Sequence, residues 1–297
     1  MAPMTIGFKQ SDNEPFINSA KSVHASFQRT PMTGLCPHLA IFDSHAHLDA
    51  PEFDGDRARV LRDAREAGVM EMLVPAVTAA GWPRLQALCA SEPGLHPAYG
   101  LHPCYLAQHA EGDLVALDAW LRTHPAAAVG ECGLDYMQAG LDRERQMHFL
   151  RGQFEIAHRF DLPLVLHARH AFEAVILELR GFGKPLRGVV HSFSGSAEQA
   201  QQLWKLGFLV GIGGPVTHER ARRLQKVVAS LPMESLLLET DAPDQPGARH
   251  KGERNEPAFL GEVLHCVAGL RGENPDELAR VTTANARRLF RLDDASV

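Results

Sequence analysis

The stretch Leu39–His47 reads Leu-Ala-Ile-Phe-Asp-Ser-His-Ala-His, a short apolar run with two histidines close behind it. The run is too short for a helix, and its apolar residues fit a strand of a buried parallel sheet. Side chains alternate along an extended chain, so His45 and His47 project to the same side. Both imidazoles can therefore reach one cation at the end of this first strand.

Short apolar runs of the same kind recur along the rest of the chain. They begin about every 20 to 35 residues, which is typical of strands that alternate with helices. The further runs are Val69–Val74, Pro97–Leu101, Ala127–Val129, Leu162–Leu166, Gly188–Val190, Phe208–Ile212 and Leu236–Leu238.

Amphipathic stretches separate these runs, with apolar residues three or four apart as in helices that bury one face. They include Arg57–Ala67, Trp82–Ser91, Asp113–Thr123, Arg143–Phe160 and Ala197–Leu206, and the chain ends with Pro257–Leu270 and Pro275–Phe290. Asp113 and Asp142 stand where N-caps are favoured, and Gly68 and Gly207 stand where C-caps are favoured.

This alternation predicts a parallel sheet with helical crossovers. Eight strand–helix units in one chain predict a closed barrel, since barrels of this type take about 250 residues as one domain. We therefore expect an α/β fold, a (β/α)8 TIM-type barrel that forms a single domain over residues 38–297. Residues 1–37 are polar and lack sustained periodicity, which predicts a poorly ordered N-terminal extension; a short capping helix is the alternative.

Composition narrows the class of protein. The net charge of −6 over 297 residues does not favour a broad basic surface for duplex DNA. No apolar run approaches the roughly 20 residues of a membrane span, and no secretory signal is visible. The five cysteines include no Cys-x-x-Cys pair, which favours a reducing compartment. We expect a cytoplasmic protein with no obligate protein partner.

Side chains of metal-binding types stand just behind several strands. With the first two histidines, the set is His45, His47, Glu131, His167, His191 and Asp241. In a (β/α)8 barrel the carboxyl ends of the strands meet at one mouth, where active sites lie. A single such residue is more often a cap, but six at the same end favour a metal site. Four histidines and two carboxylates suit one or two divalent ions, and a cluster this rich favours two that share Glu131.

Seven short segments carry a family resemblance. In chain order they are Asp43–Asp49, Gly100–Pro103, Gly130–Tyr136, Leu166–Arg169, His191–Gly195, Glu239–Pro243 and Arg254–Pro257. From about residue 39 to its end the chain resembles the TatD-type metal-dependent deoxyribonucleases, a branch of the amidohydrolase-like barrels. Cys132 departs from the family pattern, in which a larger apolar residue is frequent at that position.

The resemblance implies both a ligand set and a reaction. It implies that one cation is held by His45, His47, Glu131 and Asp241, and the other by Glu131, His167 and His191. The implied reaction is hydrolysis of phosphodiester bonds, usually at the 3′ end of single strands. We therefore expect a metal-dependent hydrolase, a 3′–5′ exonuclease-type deoxyribonuclease whose substrate is single-stranded DNA or RNA. Two divalent cations per subunit are expected, with magnesium, manganese and zinc as candidates.

Two carboxylates are the candidate catalytic residues. Glu131 is the shared ligand, and Asp241 is the candidate general base, because a carboxylate beside metal-bound water can accept its proton. The alternative is that Asp241 is a ligand only.

Other residues are expected to bind the substrate and to orient the metal-binding histidines. Arg254, Lys251 and Arg169 are expected to hold a phosphate of the substrate, with a solvated loop as the alternative for the first two. Asp49 and His102 are expected to orient metal-bound imidazoles, although His102 is equally well read as an ordinary loop histidine.

Two other functions remain open. A hydrolase of small-molecule amides, esters or lactones uses nearly the same ligands, and the acidic net charge favours it mildly. Glutamate at position 131 disfavours it weakly, since many amide-cleaving relatives use a modified lysine there. The third function is a binding or regulatory barrel that keeps the metal without turnover, and the intact ligand set counts against it.

Overall fold

Eight parallel strands form one sheet in chain order, in a computed structural model that describes residues 40–292. The predicted extension over residues 1–37 lies outside the described residues. The strands are β1 (Ile41–Asp43), β2 (Val69–Pro75), β3 (Leu95–Tyr99), β4 (Ala128–Asp135), β5 (Leu164–Arg169), β6 (Gly188–Val190), β7 (Phe208–Ile212) and β8 (Leu236–Leu238).

The first and last strands meet, which closes the sheet into a barrel. Beyond the end of β1, the Ser44 N–H donates to the Leu238 carbonyl at 3.0 Å. Farther along, the Asp241 N–H donates to the His45 carbonyl at 2.8 Å, and the His47 N–H donates to the Ala242 carbonyl at 2.8 Å. The predicted (β/α)8 TIM-type barrel is confirmed.

The helices are α1 (Arg57–Glu66), α2 (Trp82–Ser91), α3 (Asp113–Leu121), α4 (Arg143–Phe160), α5 (Phe172–Gly181), α6 (Ala197–Lys205), α7 (Arg222–Ser230), α8 (Leu260–Arg271) and α9 (Pro275–Phe290). Asp142 caps α4 as predicted, since its carboxylate accepts the Glu144 N–H at 2.9 Å. The cap predicted at Asp113 is wrong, because Gly112 holds the N-cap position of α3. The Asp113 carboxylate instead accepts the Ala110 N–H at 2.9 Å.

A layer of apolar side chains fills the barrel below its mouth. Each strand contributes one residue to this layer: Phe42, Leu73, Ala98, Ala128, Val165, Val189, Leu209 and Leu237. The neighbouring strand residues belong to the larger apolar cluster between the sheet and the helices. Ala286, Leu289 and Phe290 of α9 pack against the inner layer. The last helix therefore closes the barrel end opposite the mouth.

Two strands extend farther than their apolar runs. The pairing of β4 with β5 continues, with Gly133 opposite His167 and Asp135 opposite Arg169. Glu131 and His167 therefore lie within these strands, whereas the sequence predicted them just after the strand ends. A register shift in β4 between Val129 and Cys132 also changes the direction of side chains. Strict alternation would place Glu131 on the helix side with Val129, and the irregularity turns it to the barrel interior.

Two further sequence expectations concern the cysteines and the membrane. Cys89, Cys104, Cys132 and Cys266 are free, so no disulfide joins cysteines in the described part of the chain. None of the helices within residues 40–292 is both long and apolar enough to cross a membrane.

The contact between α9 and the inner layer yields a stability prediction. The Phe290 ring stacks on Phe42 with centroids 5.9 Å apart, and Phe290 is 4% exposed. Phe290→Ala should lower the free energy of unfolding by about 3–5 kcal/mol, because it opens a cavity in a packed core. Urea unfolding followed by circular dichroism measures this change. Leu177→Ala, at a residue that is 67% exposed, is the control, and equal midpoints for the two variants would contradict the closing role of α9.

Candidate metal centre

The six predicted ligand side chains converge at the barrel mouth. His45 and His47 follow β1, His191 follows β6, and Asp241 lies beyond β8. The alternation of side chains along a strand explains the positions of His167 and His191, because each comes two residues after a member of the inner apolar layer. The residues brought together are His45, His47, Glu131, His167, His191 and Asp241.

Glu131 lies at the centre of this cluster. Its Oε2 atom is 3.2 Å from His45 Nε2 and 3.4 Å from His47 Nε2. Its Oε1 atom is 2.7 Å from His191 Nε2 and 3.1 Å from His167 Nδ1. Each carboxylate oxygen therefore faces a different pair of histidines, which is the arrangement expected of a ligand shared by two cations.

In His47 and His167, the ring nitrogen that points away from Glu131 bonds to another group. The nitrogen that faces Glu131 is therefore the one that can bind a cation. His47 Nδ1 is 3.1 Å from the Pro75 carbonyl oxygen, which can only accept, so Nδ1 carries the proton. His167 Nε2 is 3.0 Å from Asp135 Oδ2 and donates to that carboxylate. In their neutral forms both rings consequently turn a lone pair toward Glu131, as metal-binding histidines do.

Ring nitrogens of neighbouring histidines face each other at short range. The distance is 3.1 Å between His45 Nε2 and His47 Nε2, and 3.2 Å between His167 Nδ1 and His191 Nε2. Two lone pairs at such distances repel unless a proton or a cation lies between them. Three-donor sets whose ligand atoms lie within 4.8 Å of one another include His45–His47–Glu131, Glu131–His167–His191 and His45–His191–Asp241. The donor set thus fits divalent cations.

The electrostatics of the cluster concentrate negative charge on Glu131. Burial alone would raise the pKa of Glu131, but His102, His191 and His45 hold it well below its usual value. Burial lowers the pKa of His45 to about 4. For His191 burial acts in the same direction, yet the Glu131 carboxylate outweighs it and raises the pKa to about 10. A cation that binds here therefore replaces a proton.

Asp135 supports the site and was not assigned a role from the sequence. Its Oδ1 atom accepts the backbone N–H groups of Met137 and Gln138, each at 2.9 Å. Its Oδ2 atom accepts from His167 and, at 3.4 Å, from the Cys104 thiol. The signal available in the sequence was its place within the segment Gly130–Tyr136, which also contains Glu131.

Asp241 is held with one oxygen free. Its backbone is in the left-handed region at φ 60°, which Asp tolerates better than most residues. The Gln245 amide donates to Asp241 Oδ2, and the Ser192 hydroxyl donates to Gln245 Oε1 at 2.8 Å. Asp241 Oδ1 is 3.5 Å from His45 Nε2 and 3.6 Å from His47 Nε2, so this oxygen faces the cluster.

The two residues expected to orient imidazoles differ in position. His102 Nε2 is 3.1 Å from Glu131 Oε1, so His102 supports the central carboxylate and not an imidazole. Asp49 lines the cavity that lies over the cluster. The His47 nitrogen that it was expected to bind, Nδ1, instead bonds to the Pro75 carbonyl. The orienting role predicted for Asp49 is therefore filled by a backbone group.

The predicted phosphate-binding residues separate into two groups. Arg169 lines a cavity of about 960 Å³ over the cluster. Arg254 and Lys251 are not among the described residues that line it. The Arg254 guanidinium donates to both Asp56 oxygens, at 2.9 and 2.7 Å, and to Glu256 at 2.8 Å. In this structure the Arg254 guanidinium is thus engaged by two carboxylates that do not line the cavity.

Comparison with known proteins agrees with this geometry. The family model described as TatD related DNase matches residues 42–291. The chain belongs to this family. A relative from Escherichia coli K12 named uncharacterized metal-dependent hydrolase YjjV is 40% identical over 252 residues, covering 84% of this chain and 97% of its own. The crystal structure of that TatD homologue has a TM-score of 0.82 and covers 84% of this chain and 98% of that one.

Another TatD-family relative has a more specific name. A protein from Erwinia billingiae named 3′-5′ ssDNA/RNA exonuclease TatD is 34% identical over 259 residues, covering 85% of this chain and 99% of its own. The present chain is accordingly a TatD-family metal-dependent hydrolase, and its cluster of histidine, glutamate and aspartate is suited to metal binding.

The central position of Glu131 predicts which of two substitutions weakens cation binding more. Asp135→Asn should weaken binding of Mn²⁺ or Zn²⁺ about 10- to 100-fold, as is usual when an orienting partner of a ligand is lost. Glu131→Gln should weaken it more, because it removes the charge shared by both histidine pairs. Isothermal titration of metal-free protein measures both, with Glu277→Gln on the surface of α9 as control. Equal affinities for Glu131→Gln and the control would contradict the central role.

Proposed function

We propose that this chain is a 3′–5′ exonuclease that hydrolyses phosphodiester bonds of single-stranded DNA or RNA, with two divalent cations as cofactors. The observation that carries the metal-dependent part is the Glu131 carboxylate, set between two pairs of histidines with inward-facing nitrogens. The substrate class is supported by the name of the relative from Erwinia billingiae.

We assign His45, His47, Glu131 and Asp241 to one cation and Glu131, His167 and His191 to the other. When bound, such cations lower the pKa of water and stabilise negative charge on phosphoryl oxygens. The protein contributes the fixed geometry, since Pro75 and Asp135 hold two of the rings from behind. Preorganised ligands of this kind need no rearrangement during the reaction.

Asp241 acts as the general base in this proposal. Its Oδ2 atom is engaged by Gln245, which leaves Oδ1 to accept the proton of the attacking water. The water oxygen bonds to phosphorus, and the bond from phosphorus to one ester oxygen breaks. That oxygen takes up a proton from solvent, to which Asp241 then returns the proton that it accepted. Arg169, which is exposed at the end of β5 and lines the cavity, pairs with a phosphate of the substrate.

One observation favours a second function. Besides the candidate ligands, the cavity wall carries three carboxylates, of Asp49, Glu52 and Asp244, against the two guanidinium groups of Arg84 and Arg169. The chain also has a net charge of −6. Such a rim repels a long polyanion more than a neutral molecule. A hydrolase of small-molecule amides, esters or lactones is therefore the alternative.

Labelled substrates separate the two functions. A 3′-labelled single strand should be degraded from its labelled end, stop being degraded when a chelator is added, and be degraded again with Mg²⁺ or Mn²⁺. The same protein should leave a panel of esters and lactones intact. Turnover of the panel without degradation of the strand would move the assignment to the small-molecule hydrolase.

The role of Asp241 has its own test. Asp241→Asn should lower kcat on the single strand about 10²- to 10⁴-fold, the usual contribution of a general base. The bound metal content should stay unchanged at saturating metal, because His45, His47 and Glu131 still hold that cation. Single-turnover kinetics and elemental analysis of the same preparation measure the two quantities. Asp244→Asn, at a neighbouring carboxylate of the cavity wall, is the matched control. Loss of one cation from Asp241→Asn would instead make this residue a ligand only.

A further inference from the structure

Tyr105 is an exposed aromatic residue inside the candidate active site. It is 38% exposed and lines the cavity. The other large exposed apolar side chains among the described residues, such as Trp204 on α6 at 39%, do not line it. A ring that meets water inside a ligand cavity is a surface that an apolar part of the ligand can cover.

The turn after β3 fixes Tyr105 close to the catalytic cluster. The Tyr105 N–H donates to the His102 carbonyl at 3.0 Å, and the Cys104 N–H donates to His102 Nδ1 at 3.1 Å. The Tyr105 and His102 rings meet edge to face with centroids 5.6 Å apart. Since His102 Nε2 contacts Glu131, one side chain separates the tyrosine from the central carboxylate.

Apart from Arg84, whose guanidinium pairs with Asp54, the charges of the cavity wall are divided between two sides. Asp49 and Glu52 follow β1 and Asp244 lies beyond β8, so the acidic side is next to the barrel seam. Arg169 ends β5 on the other side. No hydrogen bond or ion pair joins its guanidinium to another residue in the range 40–292. Tyr105 follows β3, which lies between β1 and β5 in the sheet, so a polyanion over its ring is attracted toward Arg169.

We propose that Tyr105 and Arg169 form a nucleotide subsite, in which the base at the 3′ end stacks on Tyr105 and a neighbouring phosphate pairs with Arg169. This inference rests on the proposed nuclease function and adds how the strand end is recognised. Stacking requires an unpaired base, so the subsite selects single strands. Because every base has an aromatic face, the subsite accepts all four with little preference.

Two oligonucleotides of the same sequence test the subsite, one with a normal 3′-terminal nucleotide and one with an abasic residue there. The wild-type protein should cleave the normal strand with the lower KM. Tyr105→Ala should raise the KM for the normal strand about 5- to 140-fold, the range of one lost base–aromatic stack. It should leave the KM for the abasic strand nearly unchanged, and Tyr105→Phe should behave as wild type. Trp204→Ala, equally exposed but outside the cavity, should change neither.

The outcomes are distinguishable. Equal losses of Tyr105→Ala on both strands, or a wild-type protein that does not discriminate between them, would overturn the subsite while the nuclease function stands. A wild-type protein that cleaves neither strand overturns the nuclease function and the subsite together.

Discussion

A buried carboxylate, that of Asp43, reinforces the backbone hydrogen bonds at the junction between β1 and β8. Asp43 Oδ1 accepts the His45 N–H at 3.1 Å and the Thr240 N–H at 3.0 Å, and Oδ2 accepts the Thr240 hydroxyl at 2.6 Å. Asp43 is fully buried, and burial raises its pKa to about 7. His45 lies two residues beyond Asp43, and Asp241 directly follows Thr240. Closing the barrel therefore also brings the first and last candidate ligands together.

The barrel interior changes from apolar to polar along its axis. Above the apolar layer lies a buried polar group, Glu239, which accepts the Ser192 N–H at 2.5 Å and the Ser44 hydroxyl at 3.3 Å. A Cβ atom at Gly211 would lie 1.9 Å from Glu239 Oε2, so only glycine leaves room for this carboxylate. Burial raises the pKa of Glu239 to about 8. The histidines come next, and the open cavity lies beyond them. The apolar layer, the buried carboxylate, the histidines and the cavity thus follow one another along the barrel axis, because inward-facing side chains recur at every second strand residue.

The sequence allowed prediction of whatever depends on strand spacing. The eight apolar runs predicted the barrel, and residues at their ends predicted which side chains converge. Irregular features could not be predicted in this way. The register shift that turns Glu131 inward leaves no mark in an apolar pattern, and Gln245 contacts Asp241 only through the shape of a loop. The place of Arg254 near the last strands suggested a phosphate site, whereas its ion pairs with Asp56 and Glu256 depend on the fold of the loops and leave no pattern in the sequence.

The position of α9 has a consequence for the order in which the core is completed during folding. Phe290 completes the inner layer that begins with Phe42, so contacts of long sequence separation finish the core. The barrel keeps one end open until α9 has packed against this layer. A chain that lacks α9 therefore exposes the apolar inner layer, which chaperones and proteases recognise.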